Sequence, residues 1–148
     1  MTNYQVLDWM TPNPVTITPK TTLPEAHRLM KERKIRRLPV LEDGRLVGVV
    51  TLGDIREAEP SAATALSVWE LNYLLDTLTI DKIMRRNVLS VSPHTSIRDA
   101  AAMMLAHKIS GLPVLDHDRL VGVITESDIF RMLVREMLPE KRPIWAIR

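Results

Sequence analysis

The chain has 148 residues, 45% hydrophobic and 26% charged, with a formal net charge of +2 and no cysteine. That balance suits a soluble globular protein and excludes disulfides, thiol catalysis and cysteine-held zinc. No apolar run reaches the roughly 18–20 residues of a membrane span, and Met1-Thr2-Asn3-Tyr4-Gln5 lacks the basic-then-apolar layout of a signal peptide, so a cytoplasmic location is expected.

A short apolar lead (Tyr4, Val6, Leu7, Trp9, Met10) stops at Thr11-Pro12-Asn13-Pro14, where two close prolines exclude a helix and favour extended backbone. Val15 to Thr18 alternates in character and predicts a short strand. Thr21 or Thr22 can cap a helix that holds Pro24 and Glu25 in its first turn. Leu23, Ala26, Leu29 and Met30 carry that helix to about Lys34. In Leu38-Pro39-Val40-Leu41, Pro39 cannot donate to a ladder and suits an edge or a strand start. Glu42-Asp43-Gly44-Arg45 reads as a hairpin turn with Gly available for positive φ. Leu46 to Thr51 is mostly apolar, as in a strand buried on both faces, and a helix follows from Gly53.

Glu59-Pro60-Ser61 ends that helix. Ala65, Leu66, Trp69, Leu71, Leu74, Leu75 and Leu78 recur at roughly helical spacing and predict an amphipathic helix around 65–77. The second half predicts a strand at 88–92, a helix at 96–107, a strand at 112–115, a turn at 116–118, a strand at 119–124 and a helix at 126–137. Asp118 stands in the place of Gly44, so a different turn is expected there. The tail, 139–148, contains Pro139 and Pro143 and cannot be a regular helix throughout. Its apolar end suits docking on the body or on a partner.

The second half is a copy of the first. Gly48-Val49-Val50-Thr51-Leu52-Gly53-Asp54 returns as Gly122-Val123-Ile124-Thr125-Glu126-Ser127-Asp128, an offset of 74. The same offset joins Met10 to Met84, Pro19 to Pro93, Met30 to Met104 and Leu38-Pro39-Val40-Leu41 to Leu112-Pro113-Val114-Leu115. Aligned without a gap, 10–56 and 84–130 share 20 identities in 47 pairs, which marks a tandem duplication. The fold class expected is α+β, two βαββα repeats packed with pseudo-twofold symmetry, since a half of about 50 residues buries too little apolar surface alone. The division is 1–60 for the first repeat, 61–80 for a helical connection, 81–138 for the second repeat and 139–148 for the tail.

In each copy a strand ends at a threonine, and an aspartate follows three residues later at the start of a helix. A helix N-terminus offers free N–H groups and partial positive charge to a phosphate. The aspartate can simply cap the helix, or its fixed carboxylate can accept two hydrogen bonds from a sugar diol. Return of both Thr and Asp at the offset, while Leu52/Glu126 and Gly53/Ser127 differ, favours a function.

These residues resemble a tandem pair of CBS domains, named after cystathionine β-synthase. The resemblance rests on Met10-Thr11-Pro12, on Ile35-x-x-Leu38-Pro39-Val40 and Ile109-x-x-Leu112-Pro113-Val114, and on the two Gly-x-x-Thr-x-x-Asp motifs, and it covers about 5–138. Trp69-Glu70-Leu71-Asn72-Tyr73-Leu74-Leu75 between the halves is similar to free-standing bacterial CBS proteins, some tied to acetoin utilisation. The resemblance implies a regulatory module that binds AMP, ADP, ATP or S-adenosylmethionine as a regulatory ligand, requires no cofactor and forms a homodimer. It implies two ligand sites. One uses Pro14, Val15, Ile35, Arg36, Arg37 and Pro39 with Thr125 and Asp128; the other uses Val88, Leu89, Ile109, Ser110, Gly111 and Pro113 with Thr51 and Asp54. In each, Asp would hold the ribose hydroxyls, Thr a phosphate, and apolar side chains the adenine. Arg36 and Arg37 face Ser110 and Gly111 across the duplication, and arginine suits phosphate, so the site with Arg37 and Asp128 is expected to be the better nucleotide site.

Other readings are weaker. The basic run Lys31-Glu32-Arg33-Lys34-Ile35-Arg36-Arg37 could meet nucleic acid phosphates, but Glu32 interrupts it, no aromatic platform accompanies it, and cations at a helix C-terminus complement its dipole. His27, His94, His107 and His117 lack ligand spacing, so no metal site is expected. Ser127 has no Gly-x-Ser-x-Gly elbow. The expectation is a ligand sensor and not an enzyme, acting on an effector protein the sequence does not name. Its rival is a structural dimerisation module with degenerate sites.

Overall fold

A computed structural model describes residues 4–60 and 67–137. The chain divides into two compact units, Val15–Val88 and the combination of Met1–Pro14 with Leu89–Arg148. Each is an α+β body built around one repeat.

In the first-repeat unit, Thr22 caps helix α2 (Leu23–Arg33). Its hydroxyl accepts from the Glu25 N–H while the Glu25 carboxylate accepts from the Thr22 N–H, which satisfies two of the helix's orphan donors. Lys34 closes the helix with left-handed backbone at φ 55°. Strand β2 (Arg37–Glu42) then pairs antiparallel with β3 (Arg45–Thr51). Asp43 and Gly44 both have positive φ, 51° and 78°, the condition for a two-residue turn that matches strand twist. Helix α3 (Leu52–Ala58) starts directly from β3 and stops at Glu59, ahead of Pro60. The strand predicted at Val15–Thr18 contracts to one parallel bridge: Ile17 donates to Pro39 O at 3.1 Å and accepts from Leu41 N at 2.8 Å. Pro14 and Pro19 flank it, and neither can extend a ladder. Ile17, Leu23, Met30, Leu38, Val50 and Ile55 form the centre of the core.

Helix α4 (Val68–Thr77) realises the predicted connecting helix from Ser67 onward; the predicted start at 65–66 lies outside the described residues. Ser67 caps it by accepting from Glu70 N. None of its residues is fully buried.

The second-repeat unit follows the same plan. Ser96 caps helix α5 (Ile97–His107), and Lys108 ends it at φ 54°. Strands β4 (Gly111–Asp116) and β5 (Arg119–Thr125) pair, and helix α6 (Glu126–Met132) continues into a π-helical stretch, Leu133–Met137. The strand predicted at 88–92 is again one bridge, Val91 to Val114. The different turn expected at Asp118 does not occur. His117 and Asp118 take φ 48° and 67°, repeating the Asp43-Gly44 geometry without glycine, because register on both sides fixes a two-residue loop.

The two leads are exchanged between repeats. Helix α1 (Val6–Trp9) and strand β1 (Thr11–Pro12) belong with the second repeat, where β1 pairs with β5 (Thr11 opposite Val123). The equivalent lead ahead of the second repeat packs in the first-repeat unit, where Arg85 and Val49 exchange both backbone bonds at 2.9 and 3.0 Å. Gly48 and Gly122 permit this: an added Cβ would lie 2.6 Å from the Sδ of Met84 or Met10 respectively.

Candidate functional site

Strand β3 ends in Thr51, whose hydroxyl accepts from Asp54 N at 3.1 Å, while Asp54 Oδ2 accepts from Thr51 N at 2.9 Å. This reciprocal cap fixes the carboxylate at the head of α3. The other oxygen, Oδ1, accepts from Arg85 Nη2 at 3.2 Å. Arg36 O accepts from Leu52 N at 2.8 Å, and Arg37 lies opposite Thr51 in the ladder. The first-repeat unit thus brings Ile35, Arg36, Arg37 and Pro39 beside Thr51 and Asp54. Pro39 is buried and Arg36 exposed.

The second repeat does the same with different polar partners. Asp128 Oδ2 accepts from Thr125 N at 2.9 Å and from the Thr125 hydroxyl at 3.1 Å. Its Oδ1 accepts from Arg131 Nη1 at 2.8 Å and from the Thr11 hydroxyl at 3.5 Å. Ser110 O accepts from Glu126 N at 3.0 Å, and Gly111 lies opposite Thr125. Ile109, Ser110, Gly111 and Pro113 therefore stand beside Thr125 and Asp128. Asp128 is the one charged residue buried among those described, at 2% exposure.

The cap is what both motifs visibly do, and it accounts for the local geometry in full. It does not use both carboxylates equally. A carboxylate offers about four lone-pair sites; among the described residues four donors stand around Asp128 and two around Asp54. Within a unit, each strand segment meets the Thr-Asp turn of its own repeat. The resemblance instead groups each segment with the turn of the other repeat. Val15 lies in the first-repeat unit with its segment, Pro14 in the other; Val88 and Leu89 fall on either side of the division.

Three contacts around these aspartates lie outside the motif reading, although Thr11 itself belongs to a motif. Arg85 and Thr11 occupy equivalent places in the two leads and reach Asp54 and Asp128. Arg131 follows Asp128 by one turn, a spacing visible in the sequence; the first repeat has Glu57 at that place. Away from the motifs, His27 and Glu59 are hydrogen-bonded in the first-repeat unit. The Thr79 hydroxyl, with Lys20 and Lys82 nearby, holds the Asp81 carboxyl below its ordinary range. Among the described residues no group of three or more His, Asp or Glu is placed to hold a metal, and no helix is long and apolar enough to cross a membrane.

The family profile described as CBS domain matches residues 6–61 and again 80–135. CBS domain-containing protein YhcV of Bacillus subtilis is 31% identical over 125 residues, 84% of this chain and 81% of that protein. The chain spans only 47% of MJ1225 of Methanocaldococcus jannaschii and 25% of a homoserine O-acetyltransferase of Methanococcoides burtonii, which it matches at 29% and 38% identity over 87% and 90% of its own length. Among solved structures, a Vibrio cholerae protein named for acetoin utilization (AcuB) superposes with a TM-score of 0.77 at 30% identity, covering 96% of this chain and all of that one. The CBS domain pair of MJ0100, in complex with 5′-methylthioadenosine and S-adenosyl-L-methionine, gives 0.76 at 28% identity over 91% and 99% of the two chains. CBSX2 in complex with AMP gives 0.73 at 32% over 89% and 97%.

Proposed function

We propose that this chain, which belongs to the CBS domain family and carries two copies of the domain, is a regulatory module that binds an adenosine-containing ligand. The observation that carries the reading is the twice-built turn in which a capped aspartate stands fixed at a helix N-terminus beside a strand end. Two similar pairs that hold S-adenosylmethionine and AMP support it. The sites follow the family grouping given above, so that Thr125 and Asp128 act with Pro14, Val15, Ile35, Arg36, Arg37 and Pro39, and Thr51 and Asp54 with Val88, Leu89, Ile109, Ser110, Gly111 and Pro113.

The two effects on site quality oppose each other. An arginine hydrogen bond to phosphate contributes about 1.5–3 kcal/mol. Against that, a sugar hydroxyl reaching Asp128 must displace a 3.5 Å contact to Thr11 or share the Arg131 pair. Arg131 is 48% exposed, and pairs of that kind contribute about 0–1 kcal/mol. Arg36 and Arg37 stand where the second repeat has Ser110 and Gly111, and a guanidinium suits phosphate, so the site with Arg37 and Asp128 is ranked the stronger nucleotide site.

The module is not itself a catalyst and works in the cytoplasm as a homodimer. Its ligand changes the state of the dimer by binding one arrangement better than another, and an effector protein reads the change. Calorimetric titration with AMP, ADP, ATP and S-adenosylmethionine tests this: saturable binding of at least one is expected. Heat no greater than dilution for all four overturns the ligand reading in favour of a structural dimerisation module.

A further inference from the structure

A groove of about 440 Å³ opens between α2 and α4 within the first-repeat unit, with Leu23, Pro24, Pro60, Leu71 and Leu75 as its apolar lining. Backbone joins the two helices at one end: Leu23 N donates to Leu78 O at 3.0 Å, and Thr22 bridges Thr79. Beyond that joint α4 does not seal against α2, and Leu71 and Leu75 stay only half-buried. The volume falls among those of small-molecule sites, which combine an apolar lining with a few placed polar groups.

The polar groups of this groove carry an excess of positive charge. His27 of α2 engages the Glu59 carboxylate, the one acidic group in the lining. Arg28 and Lys31 also line the groove and are exposed. Arg28 approaches Glu32 only at 3.9 Å, with both side chains mostly in water, and such a pair contributes little. Lys31 has no ion pair among the described residues. The helix does not require these cations: α5 runs the same 11 residues with Ala102 and Leu105 at the matching places.

We propose that the α2–α4 groove binds a monocarboxylate with an acyl-chain body, apart from the Thr-Asp turns, none of whose residues line it. The chain lies on Leu23, Leu71 and Leu75. The carboxylate lies between Arg28 and Lys31, roughly 7–12 Å along α2 from Leu23. An arginine fork takes a carboxylate through two parallel hydrogen bonds. The lining offers a purine no aromatic face and no capped aspartate, so the groove does not suit a nucleotide.

Proton–nitrogen correlation NMR of the full chain tests this, with octanoate as the probe and octanamide as its neutral counterpart, both without nucleotide. Saturable shifts are expected at the amides of α2 and of Leu71 and Leu75. Octanamide should bind about tenfold or more weakly, since it forgoes the charge-assisted bonds. Arg28→Glu combined with Lys31→Glu should abolish the octanoate shifts and leave the rest of the spectrum in place. Arg28→Gln combined with Lys31→Gln decides the matter if the charge-reversed protein fails to fold. No saturable shift with octanoate, equal binding of octanamide, or shifts that survive loss of both cations overturns the proposal.

Discussion

Asp128 and Arg131 form an ion pair of 2.8 Å along one turn of α6, made by the carboxylate whose other oxygen ties down Thr125. Asp128 is buried and Arg131 half exposed, so the guanidinium neutralises a charge that water scarcely reaches. Arg131→Ala is expected to cost about 1 kcal/mol, discounted for the exposure of the arginine, and to lower the melting temperature by roughly 2–4 °C. Arg85→Ala should cost less than about 0.5 kcal/mol, because Arg85 is 71% exposed and Asp54 keeps its cap. Urea denaturation of the two variants checks the order; equal losses would mean that the Asp128 pair is screened as fully as the Asp54 pair.

Gly122 and Gly48 are unequal in what they tolerate. At both glycines an added Cβ meets a flexible methionine Sδ at 2.6 Å, that of Met84 or Met10; behind it the backbone oxygen of Arg85 stands 3.1 Å from the Cβ at Gly48, and that of Thr11 2.9 Å from the Cβ at Gly122. The closer backbone at Gly122 must shift, so Gly122→Ala is expected to lose about 2–3 kcal/mol and Gly48→Ala about 1–2 kcal/mol. Equal losses in chemical denaturation would show that the backbone of β1 yields as readily as that of Arg85.

Asp118 holds left-handed backbone where the first repeat has Gly44. Relief of that conformation contributes about 1 kcal/mol, while the freer unfolded chain of a glycine variant takes back roughly 0.4–1 kcal/mol. Asp118→Gly is therefore expected to stabilise by at most about 0.5 kcal/mol. A clear loss of stability would show that the Asp118 side chain makes a local bond worth keeping.

Asp81 carries the pH dependence that can be signed. Its carboxyl is held below the ordinary aspartate range, chiefly by the Thr79 hydroxyl. The stability it contributes is present above the unfolded value and disappears as pH falls through the folded one. Asp81→Asn should lose that contribution at neutral pH and flatten the acid limb of the stability curve below about pH 4. An unchanged acid limb contradicts the assignment.

The helices could be read from the sequence because their caps are local. Thr22 with Glu25, Thr51 with Asp54 and Thr125 with Asp128 each announce a start three residues ahead, and the duplication doubles every signal. The β2–β3 hairpin was equally readable from Asp43-Gly44. Val15–Thr18 and 88–92 read as strands in the sequence but make one bridge each, since sequence pattern alone does not show that only one residue finds a partner. The exchange of leads was hidden, because pairing of Thr11 with Val123 spans the chain and leaves no periodic trace. Asp128 was visible as a motif residue; its four donors were not, since Thr11 reaches it only through that exchange.

The central claim turns on whether a capped aspartate also serves a ligand. The most direct measurement is the rise in melting temperature on adding AMP, ADP, ATP or S-adenosylmethionine to wild type, Asp128→Ala and Asp54→Ala. Ligand-induced increments are compared, since removing either cap lowers the starting value by about 0.5–2 kcal/mol. A ligand at ~100 times its dissociation constant should add about 2.7 kcal/mol to wild type. The expected result is that this increment persists for a nucleotide in Asp54→Ala and vanishes in Asp128→Ala. Equal increments in all three proteins, or none in any, would contradict the account and leave both aspartates as helix caps alone.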